Sequence, residues 1–570
     1  MGASLSFPIL AALVFIPLLG AAALALLGQS DSRANRATWM SIGIGSSLIT
    51  LVLSIVALAL MKVQYGGYQL IENHAWSGSA LGVRWFAGVD GISIFLVLLA
   101  TVLFPIVLVG ARSKDRARTF MAWMLLLEAA CIGSFISLDL IVFFFFLELT
   151  LIPAYFIING WGYGRRAYAS FKFFLYTFLG SAFLLVGILV LAFIHQSQTH
   201  VLTFSLPALE HTHLSSGTGI LLFLAFSAAF VVKAPLFPFH TWSPDAYGQA
   251  PTGGSMILAA VLAKLGVYGV IRFDLNLFPA ASRTLAPLIL TMAVVGILYG
   301  AVVACAQRDL KRLISYSSLA QVSFIALGFF AFTTQGLTGG VLLMINHGLI
   351  VAALFLIIGW IYERRGTWQV SELRGLQKSA PIMAGLFSVV MMASIGVPGL
   401  NGFVSEFLVL SGTFLTHRWW AVVALGGVIV AAIYLLWAYQ QVFHGVPEGK
   451  NEHMKDVRWG ERLVIAPLII LIVVLGVYPK PVLDRITPSV NEVIARVEHV
   501  TNTSQPLVAT YGRAGAASAS REQHSAQGTT QGTTQGTTQG TTQGTARPNV
   551  EQAVQQTGQG IKLNVGVSKS

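Results

Sequence analysis

Predominantly apolar runs of about 20 residues recur from the N-terminus to about residue 480, each long enough to cross a hydrocarbon core about 30 Å thick. Water cannot satisfy a backbone in that medium, so only helices and closed barrels span it, and runs of this length select helices. Fourteen spans are expected, at residues 6–28, 38–61, 88–110, 119–137, 139–160, 169–195, 217–241, 251–273, 284–305, 313–332, 336–361, 381–411, 419–441 and 463–479. The first lacks a basic leader segment and a small-residue cleavage site, and reads as a retained helix. The expected fold class is therefore an all-α polytopic membrane protein.

Composition agrees with this reading. The chain of 570 residues is 55% hydrophobic and 10% charged with mean hydropathy +0.73, which excludes a water-soluble globule. A net charge of +12 does not mark a nucleic-acid binder, because the basic residues are spread over short loops. With the N-terminus outside, one set of loops holds nineteen of them: Arg33, Arg36, Arg112, Lys114, Arg116, Arg118, Arg165, Arg166, Arg308, Lys311, Arg312, Arg364, Arg365, Arg374, Lys378, Lys450, Lys455, Arg458 and Arg462. The opposite loops hold roughly three or four, among them Arg84, Arg283 and Arg418. The positive-inside rule then places both termini outside. Cys131 and Cys305 each stand alone in an apolar run, which gives no disulfide framework and no metal cluster.

From about residue 497 the chain turns to Ser, Thr, Gln, Gly and Ala, with a QGTT repeat over 527–545. Such a segment cannot bury enough apolar surface to order itself, so 497–570 is expected to be a disordered tail, a docking role being the alternative.

Ionisable groups inside a bilayer are costly, about 2.5 to 3.5 kcal/mol for a central lysine, and imply a partner, a hydrated cavity or a task. Glu128, Glu148, Lys233, Lys264, His347 and Glu406 fall well inside expected spans, and Asp139 and Lys172 lie nearer the ends. Glu148, in DLIVFFFFLELTLIP, needs a cation or a proton; Lys233, in VVKAPLFPFHTW, is the natural partner. Such a pair forms a proton site whose affinity depends on its separation; the alternative is a static ion pair. Pro235 and Pro238 break the helix beside Lys233, and Pro398, Gly399 and Gly402 break the one that presents Glu406. Broken helices are tolerated at membrane depth only where the freed backbone is buried in protein or lines hydrated space.

Two such helices, each about the fourth of a five-helix group, suggest an internal repeat, inverted because the number per group is odd. The divisions expected are 1–118 (three N-terminal helices), 119–273 (first repeat, spans 4 to 8), 274–445 (second repeat, spans 9 to 13), 446–496 (last helix and flanks) and the tail 497–570. Lys264 and His347 are single mid-span polar groups that would connect the broken helices into one polar line; a helix-packing role is the alternative for His347. Asp139 is placed to cap a helix, His240 to anchor a turn with Asp245, and Lys172 to snorkel, while Glu128 has no evident partner.

FFFFLELTLIPAYFIING, KAPLFPFHTWSPDAYGQAPT, RDLKRLISYSSLAQVSF, NHGLIVAALFLIIGWIYER and GVPGLNGFVSEFLVLSG, in this order over about residues 85–480, resemble the antiporter-type subunits of respiratory complex I, the proton-translocating NADH:quinone oxidoreductase. The resemblance implies fourteen helices with two inverted five-helix repeats, broken helices 7 and 12, and a bacterial inner-membrane location. It also implies a proton relay in which Glu148 and Lys233 form the input pair, Lys264 and His347 carry the proton onward, and Glu406 is the outlet. Glu406 matches the sister subunit that has glutamate where the others have lysine. The chain departs from the family in reading SSLAQ where many members have a histidine in the last position; Gln321 stands there, and glutamine cannot carry a proton by changing charge.

The sequence carries no Cys cluster, dinucleotide fingerprint or haem-ligand pair, so FMN, iron-sulfur clusters, NADH and quinone are expected in partner chains. The expected partners are the other membrane-arm subunits, sister antiporter-like chains among them, and the lipid bilayer. Rival readings are a subunit of a multisubunit sodium/proton antiporter or membrane-bound hydrogenase, and a structural spacer.

Overall fold

The computed structural model describes residues 7–27, 33–75, 81–110 and 115–506, and these form a helical bundle. Twelve helices among them are long and apolar enough to cross a membrane, so the chain is a multi-pass membrane protein. Two further expected spans miss that measure for physical reasons. Leu310–Phe329 has the length but carries Lys311, Arg312, Gln321 and several serines. The stretch expected at 381–411 is split into Pro381–Ile395 and Asn401–Thr416, because Gly396 (φ +80°) and Gly399 (φ +92°) adopt left-handed conformations on either side of Pro398.

The other expected break also forms. The helix Ser216–Lys233 stops at Lys233, well before the expected end at 241, and a second helix runs Trp242–Gln249. The proline at 235 has no N–H to donate, so the chain resatisfies itself otherwise: Leu236 N donates to Val231 O at 2.9 Å and Trp242 Nε1 to Val232 O at 2.8 Å. Gly266 lets the run Thr252–Leu277 press against this break, since a Cβ there would lie 2.4 Å from Ala234 N. That run continues four residues past the boundary expected at 273.

Two elements went unforeseen. A hairpin, Gln69–Ala75 paired antiparallel with Arg84–Val89, sends Glu72 to accept from Leu10 N at 2.7 Å and Ala11 N at 3.0 Å. A carboxylate at the start of the helix Ile9–Leu26 is well placed against the helix dipole. The helix Lys480–Thr501 carries the chain past the expected tail boundary at 497. Its apolar residues Val482, Ile486, Val490, Val493 and Val497 repeat at helical spacing and are buried, so it lies along the bundle on one face. It is tied down by Arg496 Nε donating to Asn276 O at 2.6 Å and by Ser489 Oγ, which accepts from Gly91 N at 2.9 Å. The repeat-bearing remainder of the expected tail, 507–570, lies outside the described residues.

A buried ion pair braces the hairpin side of the bundle: Arg272 Nη2 lies 2.7 Å from Asp90 Oδ1, both nearly inaccessible, with the Tyr68 and Tyr268 hydroxyls also on the guanidinium. Asp90→Asn leaves that guanidinium uncompensated, which typically costs about 3 to 5 kcal/mol. The expected result is a sharp fall in the amount of chain recovered in detergent-stable form, measured against wild type at equal expression; an unchanged yield would mean the pair adds nothing to stability.

Candidate functional site

The candidate site is a set of buried polar side chains drawn from both broken helices and the two long helices between them. At one end Lys233, 5% exposed, donates from Nζ to Thr150 Oγ1 at 2.8 Å and more weakly to Leu147 O at 3.4 Å. Thr150 sits where the helix Leu140–Leu149 gives way to Leu151–Trp161, and its hydroxyl donates back to Leu147 O at 2.7 Å. Glu148, two residues away, is half-buried, and no ion pair joins it to Lys233 in this structure. The acid and the base expected as partners are neighbours held apart, with Thr150 on the lysine in the acid's place.

In the middle, Lys264 and His347 meet. Lys264 Nζ lies 2.7 Å from His347 Nδ1 and donates to Ala259 O at 2.9 Å. Both side chains are buried. Two π-helical turns, Leu258–Leu262 and Val270–Asp274, flank the turn that carries Lys264. A widened turn weakens the ladder locally and leaves a carbonyl free for a side chain, and such turns recur at functional sites. An ammonium against an imidazole nitrogen this close leaves room for one shared proton between them.

Beside His347 in the chain stands Asn346, which went unrecognised in the sequence. Asn346 Nδ2 donates to Asn401 O at 2.7 Å and to Ser405 Oγ at 3.2 Å, tying the helix Thr334–Arg365 to the second broken helix. Glu406, the next residue along, accepts at Oε1 from Gln321 Nε2 at 2.9 Å. Gln321 thus touches the Glu406 carboxylate directly, and its own Oε1 is buried without a partner. The signal for Asn346 was present as an asparagine beside His347 in an apolar helix.

Gly396 is fitted to this carboxylate. A Cβ there would lie 2.4 Å from Glu406 Oε2, and its φ of +80° is one that side chains avoid. Gly396→Ala therefore strains the backbone by about 1 to 2 kcal/mol and pushes the carboxylate off its seat. The variant is expected to fall well below wild type in any transport the site performs, at near-normal yield; wild-type transport would show that the carboxylate's position is immaterial.

The remaining candidates are placed as follows. Asp139 caps the helix Leu140–Leu149, accepting from Ile141 N at 3.0 Å and Val142 N at 3.2 Å, and also accepts from Arg84 N. Lys172 donates to Asp245 Oδ2 at 2.7 Å. No hydrogen bond joins His240 to Asp245 among the described residues; its Nδ1 is buried without a partner and its ring lies against Phe237 and Tyr299. Glu128 is fully buried and accepts from Ser47 Oγ at 2.9 Å, with Oε2 unpartnered. Among the described residues no group of three or more His, Cys, Asp or Glu is arranged to hold a metal ion.

The membrane bundle with two broken helices and buried lysine, histidine and glutamate is of the antiporter type: residues 137–433 match the family described as NADH:quinone oxidoreductase/Mrp antiporter, transmembrane. The chain is 41% identical over 500 residues to NADH-quinone oxidoreductase subunit M of Rhodobacter capsulatus, covering 85% of this chain and 96% of that one. It is 40% identical over 529 residues to the Mycobacterium tuberculosis subunit M, covering 86% and 94%. Its fold is similar to a chain of respiratory complex I from Thermus thermophilus, with TM-score 0.77 and 29% identity over 86% of this chain and 99% of that one. A chain of the Mrp complex from Dietzia shares the fold alone, with TM-score 0.73 at 19% identity over 86% and 99%. This chain belongs to the NADH-quinone oxidoreductase subunit M family.

Proposed function

We propose that the chain is a proton-translocating membrane-arm subunit of an NADH:quinone oxidoreductase in a bacterial inner membrane, with both termini outside. Fourteen helices then cross the bilayer, the two short of the hydropathy measure included, and 119–273 and 274–445 are inverted five-helix repeats. The observation that carries the reading is the Lys264–His347 contact at 2.7 Å, because it joins one repeat to the other through two groups that can each hold a proton. Glu148 and Lys233 form the input, Lys264 and His347 the relay, and Glu406 the outlet. Gln321 orients the outlet carboxylate, and Asp139 is left a structural role.

The separation of Glu148 from Lys233 supports a switching input. A buried lysine without its carboxylate holds its proton less firmly than one beside it, so closing the pair loads Lys233 and opening it sends the proton toward Lys264. Each proton moved against 100 mV requires about 2.3 kcal/mol, supplied by redox chemistry in partner chains that hold FMN, iron-sulfur clusters, NADH and quinone. The chain itself carries no redox centre, and its neighbours are other membrane-arm subunits, sister antiporter-like chains among them.

The test is ion specificity in vesicles bearing the assembled complex. NADH-driven uptake of protons that persists without sodium supports the reading, whereas uptake that requires sodium would assign the chain to sodium/proton exchange instead.

A further inference from the structure

Lys311 lies at the first turn of Leu310–Phe329, in what the sequence presents as a basic loop, yet it is 2% exposed. Its ammonium rests on the faces of Tyr163 and Trp368, at 4.9 and 4.7 Å from the ring centroids, and donates to Ala250 O. Tyr362 stacks on Trp368 at 3.8 Å and closes the cage. No carboxylate lies within ion-pair distance of it among the described residues. A structural lysine would be expected to keep a counter-ion or reach water; this one has neither, and a single oxygen for three donors.

Its position is as informative as its surroundings. Ala250 is the joint between Trp242–Gln249 and the run Thr252–Leu277, that is, between the segment of Lys233 and the segment of Lys264. Leu310–Phe329 packs against both. One and two turns inward on the same helix stand Ser315, whose hydroxyl donates to Lys311 O, and Ser318, whose hydroxyl is buried without a partner. Outward, Asp245, Lys172 and the half-exposed Arg312 form a charged mouth.

We infer that Lys311 is a proton-uptake group that feeds the relay from the cytoplasmic side, an inference that rests on the proton-translocating function and orientation proposed above. The Lys311 ammonium passes one proton inward past Ser318 toward Lys264, is left as the neutral amine, and regains a proton from water at the mouth. The two ring faces stabilise the charged form without the permanence of a carboxylate. Other titratable groups facing the cage are Asp309 on its own helix, engaged in capping Arg312 N, Tyr163 from the 162–165 turn, and Tyr362 and Glu363 at the end of Thr334–Arg365.

The test is the ratio of protons translocated to NADH oxidised by the assembled complex in vesicles, for Lys311→Arg, Lys311→Met, Trp368→Leu and, as a reference, Lys233→Ala. Arginine keeps the charge and the ring contacts but does not release its proton, so Lys311→Arg is expected to lose pumping as fully as Lys311→Met. Trp368→Leu keeps the lysine and removes a ring face, so the alkaline limb of its pumping profile is expected to move about 0.5 to 1 pH unit lower; this arm decides the matter if Lys311→Arg does not assemble. Wild-type pumping by Lys311→Arg, or an unmoved profile in Trp368→Leu, would make the cage a static brace. If Lys233→Ala fails to pump in the same preparation, only this inference falls; if it too pumps normally, the relay itself is wrong.

Discussion

Lys233→Ala in an assembled complex is expected to lower proton translocation about a hundredfold or more, the usual scale for removing a proton-transferring group, and to slow NADH:quinone turnover with it. The lysine is the only group that connects the Leu140–Leu149 and Leu151–Trp161 junction to the broken helix, through Thr150 Oγ1 and Leu147 O, among the hydrogen bonds of the described residues. Alanine deletes the proposed carrier but leaves the backbone break intact, since that break is resatisfied by Leu236 N and Trp242 Nε1. The yield of the variant should therefore stay near wild type. Comparing its assembled amount with its pumping separates loss of a carrier from loss of a fold.

Lys264→Met and His347→Ala are expected to be comparably severe, and their combination no worse than either alone. The two atoms sit 2.7 Å apart, so removing one partner deletes the shared proton position, and the second deletion has little left to remove. Groups that act as a unit are strongly non-additive in this way. The cycle is read from initial pumping rates of the two single variants and the double variant at equal assembly. Multiplying losses would mean that the two residues serve separate paths.

Spans, breaks and the intramembrane charges were legible because each violates or obeys a rule with a period of its own: about twenty apolar residues per crossing, prolines where helices stop, and ionisable groups where none belong. What escaped was whatever depends on contacts between distant segments. Lys311 read as a loop cation because its neighbours Arg308 and Arg312 are basic; the cage that buries it comes from Tyr163 and Trp368, far away in sequence. Asn346 was overshadowed by His347, and its bonds to Asn401 O and Ser405 emerge only when Asn401–Thr416 packs on Thr334–Arg365. The helix Lys480–Thr501 was missed for a different reason. Its apolar residues alternate with charges at helical spacing, so a search for continuous apolar runs passes over it.

The Glu148–Lys233 partnership illustrates the limit from the other side. The pairing was inferred from residue type and depth alone, and in this structure Lys233 bonds to Thr150 and Leu147 O with no ion pair to Glu148.

The most direct test of the relay is the number of protons moved per NADH oxidised by the assembled Glu406→Gln complex in sealed vesicles. Glutamine fills the same space beside Gln321 Nε2 and Gly396 and can still accept the 2.9 Å hydrogen bond, so only the capacity to take up and release a proton is lost. The account predicts a clear fall in that ratio at normal assembly. A ratio equal to wild type would contradict it, and would make the polar line a structural feature of the membrane arm.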